Sequence, residues 1–147
     1  DYERAELINL SGISKITFWG IGGMFDELDD VWLPCEQVFD DFVVRAYANN
    51  PKTNLPTGPA TSIENFSISS LDTGVTYGGQ FNLIKYEIVL DEPTDFIEHI
   101  SIQAQATNLN CWFLWMSSGT GDEMSSFFDG FIWAESDTLQ DLSICIE

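Results

Sequence analysis

His99-Ile-Ser-Ile-Gln-Ala-Gln-Ala106 is the stretch that decides the fold. Apolar and polar side chains alternate along it. Ile100, Ile102, Ala104 and Ala106 point one way, Ser101, Gln103 and Gln105 the other. Successive side chains of a strand leave opposite faces, so this pattern reads as a strand with one dry face and one wet face. The same reading spreads outward. Ile13–Gly20, Asp41–Tyr47, Ser62–Ser69, Asn82–Leu90, Asn110–Met116 and Leu139–Ile146 are short runs rich in β-formers, with Tyr2–Leu10 and Phe131–Ala134 as weaker ones. Turn chemistry separates them at Gly20–Gly23, Asn49–Pro51, Pro56–Pro59, Gly78–Gly79, Asp91–Pro93 and Gly119–Gly121. No segment sustains a helical period. The expectation is an all-β chain, an antiparallel β-sandwich of about eight strands, in one domain over residues 1–147.

A chain of 147 residues can bury a substantial core. Its 24 acidic against 5 basic residues give a formal charge of −19. Nucleic acids and anionic membranes both need cationic surface, so neither is an expected partner. No run of 18 apolar residues is present, so no membrane-inserted helix is expected. The chain starts at Asp1 without an initiator Met, which reads as a mature product or an excised piece.

Little in the sequence points to catalysis. His99, the one histidine, is in phase with Ser101 and Gln103 and so is expected on the wet face. There is no nucleophile elbow, and Gly20-Ile-Gly-Gly23 lacks the third glycine of a dinucleotide loop. A glycosidase pair could be drawn from so many carboxylates, but chance pairs are expected at this acidity. Oxygen-rich clusters suit calcium better: Asp26, Glu27, Asp29 and Asp30 in Met24–Asp30, with Asp40 and Asp122 as further ligands. Their spacing is not that of an EF-hand, and plain surface charge is the competing reading.

Four stretches in order, ISKITFWGIG, FVVRAYANNPKTNLPTG, KYEIVLDEPTDFIEHISIQAQ and NCWFLWMSSGTGDEMSS, with a closing DLSICIE, resemble an accessory module found at the ends of secreted bacterial multidomain proteins. The likeness covers most of the chain and rests on short, variable motifs. It implies a jelly-roll-like sandwich, extracellular, covalently linked to catalytic or adhesive domains, and itself non-catalytic. Carbohydrate, a polysaccharide or other glycan, is the ligand that goes with it. A structural or adhesive spacer and a small hydrolase are the alternatives.

The module often carries cysteines near both of its C-terminal strands, which implies a disulfide between Cys111 and Cys145 and a free Cys35. Three buried thiols in a reducing compartment is the competing reading. Strand parity groups Cys111, Phe113 and Trp115 on one face and Trp112, Leu114 and Met116 on the other. Cys145 lies in the polar phase of its own strand. A Cys111–Cys145 bond therefore turns Phe113 and Trp115 outward, where aromatic rings could stack on sugar faces. Trp19, out of phase with Ile16 and Phe18, and Trp32 in the acidic segment are further ligand-binding candidates.

Overall fold

The computed structural model describes residues 3–35, 37–105, 110–118, 125–128, 131–135 and 141–147. Among them every regular element is a strand. In chain order these are β1 (Glu3–Leu10), β2 (Lys15–Asp26), β3 (Val31–Pro34), β4 (Phe42–Asn49), β5 (Pro56–Ile63), β6 (Phe66–Tyr77), β7 (Phe81–Leu90), β8 (Ile97–Ala104), β9 (Trp112–Trp115), β10 (Ser117–Ser118), β11 (Ser126–Phe128), β12 (Trp133–Glu135), β13 (Asp141–Leu142) and β14 (Ile144–Ile146). One sheet runs β12-β11-β1-β8-β4-β5 and another β14-β2-β7-β6, with β10-β13 as a small third pair. All pairings are antiparallel. The chain is an all-β, sandwich-like fold.

The core lies between the two large sheets. Ile16 and Phe18 of β2, Ile84, Tyr86 and Ile88 of β7, Phe42 and Val44 of β4, and Ile100 and Ile102 of β8 all face it. The alternation in each strand delivers these residues to one side. On β8 the expected dry face is the one that packs. Phe18 stacks on Tyr86 with ring centroids 5.3 Å apart and meets the Phe42 ring edge-on at 5.3 Å.

The other face of β8 departs from expectation. His99 and Ser101 are fully buried rather than wet. The reason is the curl of their sheet. Tyr47 on β4 and Trp133 on β12 have three strands between them, which in a flat sheet would separate them by about 19 Å. Their ring centroids are 5.2 Å apart. The sheet bends round until its far strands close over β8.

Gly20–Gly23, which reads as a turn, is instead the middle of the twelve-residue strand β2. Three of its residues lack side chains because large groups press on the strand from both sides. A Cβ on Gly20 would run into the edge of the Phe113 ring. One on Gly22 would lie 3.0 Å from the Cys35 carbonyl oxygen and 3.2 Å from its sulfur, and one on Gly23 would lie 3.1 Å from the Trp32 ring. Pro56–Pro59, another expected turn, begins the edge strand β5, where a missing N–H costs no ladder bond.

Candidate functional site

The far half of β2 organises the candidate site. β9 pairs with one edge of β2 over Gly20–Gly23, and β3 pairs with the opposite edge over Gly23–Asp26. Directly opposed residues share a face, so even-numbered positions of β2 look into the sandwich together with Phe113 and Trp115. Odd-numbered positions look out with Trp112, Leu114 and Trp32.

This reverses the expected orientation of β9. Phe113 sits among Phe18, Phe39, Phe42 and Tyr86 at centroid distances of 5.3–6.0 Å. Trp115 packs edge-on against Phe18 at 5.9 Å, and its indole N–H donates to the Ser143 carbonyl oxygen at 3.0 Å. The outward side chain is Trp112, 49% exposed. The error follows from the disulfide. Cys111 is bonded to Cys35, with 5.9 Å between their Cα atoms, and Cys145 is the free, exposed thiol. The chain leaving β3 passes beneath β2 at Gly22, where the Cys35 N–H donates to the Gly22 carbonyl oxygen at 3.2 Å. It meets Cys111 on the inner side. Cys111 is therefore buried, and its phase-mates Phe113 and Trp115 go inward with it.

On the outer side Trp32 and Trp112 flank β2 from opposite edges, with Gly23 between them. Trp32 (41% exposed) packs against Phe25 at a centroid distance of 5.4 Å. Trp19, also outward, is half-buried and lies cross-strand from Lys85. A groove of about 1040 Å³ opens at this end of the molecule. The outward Phe25, Trp32 and Trp112 and the inward Phe113 and Trp115 contribute its aromatic lining, so it wraps round the edge of β9, and Glu3, Arg4, Asp26 and Glu27 are its charged residues.

The acidic run does not build a metal centre from the described residues, among which no three His, Cys, Asp or Glu side chains converge. Met24–Asp26 end β2, and residues 27–30 form the β2–β3 turn. Asp26 accepts the Leu28 N–H at 2.9 Å, and Asp30 adopts a left-handed backbone with φ of 54°. Glu27, Asp29 and Asp30 are exposed on this turn, and Asp40 is exposed ahead of β4. Asp122 lies outside the described residues.

Sequence reasoning missed a second polar cluster, inside the curl. The Glu3 carboxylate accepts from the Tyr47 hydroxyl at 3.0 Å, from the Arg45 guanidinium at 3.3 Å and from the Ser101 hydroxyl. Burial, reinforced by the Glu3 charge, pushes the Tyr47 pKa up to about 12. His99 Nε2 lies 3.0 Å from the Asn49 side-chain oxygen, an acceptor, so this nitrogen carries the proton. Nδ1 is buried with no hydrogen-bond partner among the described residues. These groups tie β1, β4 and β8 together.

His99 gives this cluster a pH signature. Burial lowers its pKa from the ordinary value, and the Glu98 charge opposes the effect only in part. The fold thus favours neutral imidazole. That contribution is complete above about pH 6.5 and is lost as pH falls from there through the depressed folded-state value. Between about pH 7 and about pH 5 the melting temperature should drop more steeply in the native protein than in His99→Gln, since the carboxylates titrate in both. Parallel slopes would show that His99 is not held neutral by the fold.

No family model, curated protein or solved structure matches the chain.

Proposed function

We propose that this protein is a non-catalytic carbohydrate-binding module that takes a neutral glycan on Trp32 and Trp112. The observation that carries this reading is the pair of half-exposed indoles on opposite edges of β2, with Gly23 between them, whose lack of a side chain lets the Trp32 ring lie close to the strand. Both border the groove, where Phe25 adds a third ring and Asp26 and Glu27 supply carboxylates of the kind that accept from sugar hydroxyls. Pyranose C–H faces stack on indoles, and ring-on-ring contacts of comparable size are worth about 0.5–1.5 kcal/mol beyond the area they bury. A formal charge of −19 disfavours uronic-acid and sulfated polymers. The Cys35–Cys111 bond supports an oxidising, extracellular setting.

Native-gel retardation by soluble β-glucan, xylan and galactomannan tests the reading, with pectate and heparin as anionic comparisons. At least one neutral polymer should retard the protein, and neither anionic one should. Trp32→Ala and Trp112→Ala should each weaken retardation roughly tenfold, the affinity equivalent of one stacking contact. Trp112→Ala should leave the melting temperature nearly unchanged, because the side chain is half-exposed. Uniform migration in every gel would favour a structural or adhesive domain instead.

A further inference from the structure

We infer that the Cys35–Cys111 disulfide is a redox-sensitive clamp on the aromatic groove, so that reduction dismantles the binding surface while the sandwich remains. The inference rests on the carbohydrate-binding reading for its functional consequence, and on geometry for the rest.

Trp32 and Trp112 stand on β3 and β9, two edge strands of four residues each. Each is paired to β2 over only four positions, on opposite edges. Cys35 immediately follows β3 and Cys111 immediately precedes β9. The bond therefore joins the two ends beneath β2, one position from Trp112 and three positions from Trp32. It lies against Gly22, where an added Cβ would come within 3.2 Å of the Cys35 sulfur. The main strand pairings, β2 with β7 and β8 with β1 and β4, involve neither cysteine. Opening the bond thus removes the covalent tie between the two walls of the groove, leaving β9 held by its ladder and by Phe113 and Trp115, and leaves the rest of the ladder intact.

The chemistry needs a dithiol, either small or the active site of a thiol–disulfide exchange protein. Its thiolate attacks the Cys35 sulfur, since Cys35 is half-buried whereas Cys111 is fully buried. The S–S bond breaks, and Cys111 leaves as a thiolate and takes up a proton. The second thiol of the reductant displaces Cys35 in the same way. The reductant is oxidised to its own disulfide, and two protein thiols result.

The test compares native protein with protein reduced by dithiothreitol, using two-dimensional amide and indole N–H spectra and the same β-glucan, xylan and galactomannan gels. Signals from β3, β9 and the indoles of Trp32 and Trp112 should shift or broaden on reduction, while those of β7 and β8 stay in place. Retardation should weaken about tenfold, the cost of re-ordering two side chains on binding. Unchanged β3, β9 and indole signals in the reduced protein would overturn the clamp. Loss of the β7 and β8 signals along with those of β3 and β9, that is, unfolding of the whole chain on reduction, would overturn it too, because the clamp requires the sandwich to remain. If no polymer retards the native protein, the carbohydrate reading fails, and the spectra still decide the clamp.

Discussion

Phe113→Ala should destabilise the protein by about 3–5 kcal/mol, the range for removing a large aromatic from a packed core. Four rings surround Phe113, all within 6.0 Å of its centroid, and Gly20 has no side chain in order to admit it. A hole there cannot close, because the neighbouring rings hold one another: Phe18 stacks on Tyr86, and Phe42 meets both edge-on. In a domain of this size the loss corresponds to a fall of roughly 10 °C in melting temperature. Thermal unfolding followed by circular dichroism measures it. Trp112→Ala, one residue earlier, should move the transition little. If the two variants changed places in size of effect, β9 would face the other way.

Removing the disulfide is the second large effect. A chain-entropy treatment of a bond between cysteines 76 positions apart gives about 4–5 kcal/mol of stabilisation through the unfolded state. Cys35→Ser with Cys111→Ser should therefore shift the urea midpoint strongly downward without unfolding a chain of ordinary stability. Cys145→Ser should leave the midpoint where it is, because that thiol is free and exposed. Equally large losses from Cys145→Ser and from the double variant, which also lacks Cys111, would restore the Cys111–Cys145 pairing and the outward-facing Phe113 that goes with it.

The strands and the sheet class were legible because a period of two survives in most segments, as in the Ile100–Ile102 face of β8. The facing of β9 was not. Cys111–Met116 is apolar at every position, so alternation alone does not say which half is inside. The orientation then hung on one assumed covalent bond, and the wrong partner for Cys111 turned every side chain of the strand over. Gly20–Gly23 misled for a related reason. Glycine commonly marks a turn, and here it marks close approach, from Phe113 and the disulfide on one side and Trp32 on the other. For His99 the phase was right and the solvent was wrong. It does lie opposite the Ile100 face, but a polar face is wet only if nothing folds over it. The closure of β11 and β12 depends on contacts far apart in sequence. Trp32 was legible as a candidate, whereas Trp112 was assigned to the core by the same inverted parity.

The binding face is tested most directly by titrating the labelled native protein with the neutral polysaccharide that retards it and following the indole N–H signals of its five tryptophans. Those of Trp32 and Trp112 should move together and saturate. Trp115, whose N–H is already bonded to the Ser143 carbonyl, should hold its position. Movement of Trp115 with Trp32 and Trp112 at rest, or no saturable movement of any indole with β-glucan, xylan or galactomannan, would contradict the assignment of the outer face of β2 as the glycan site.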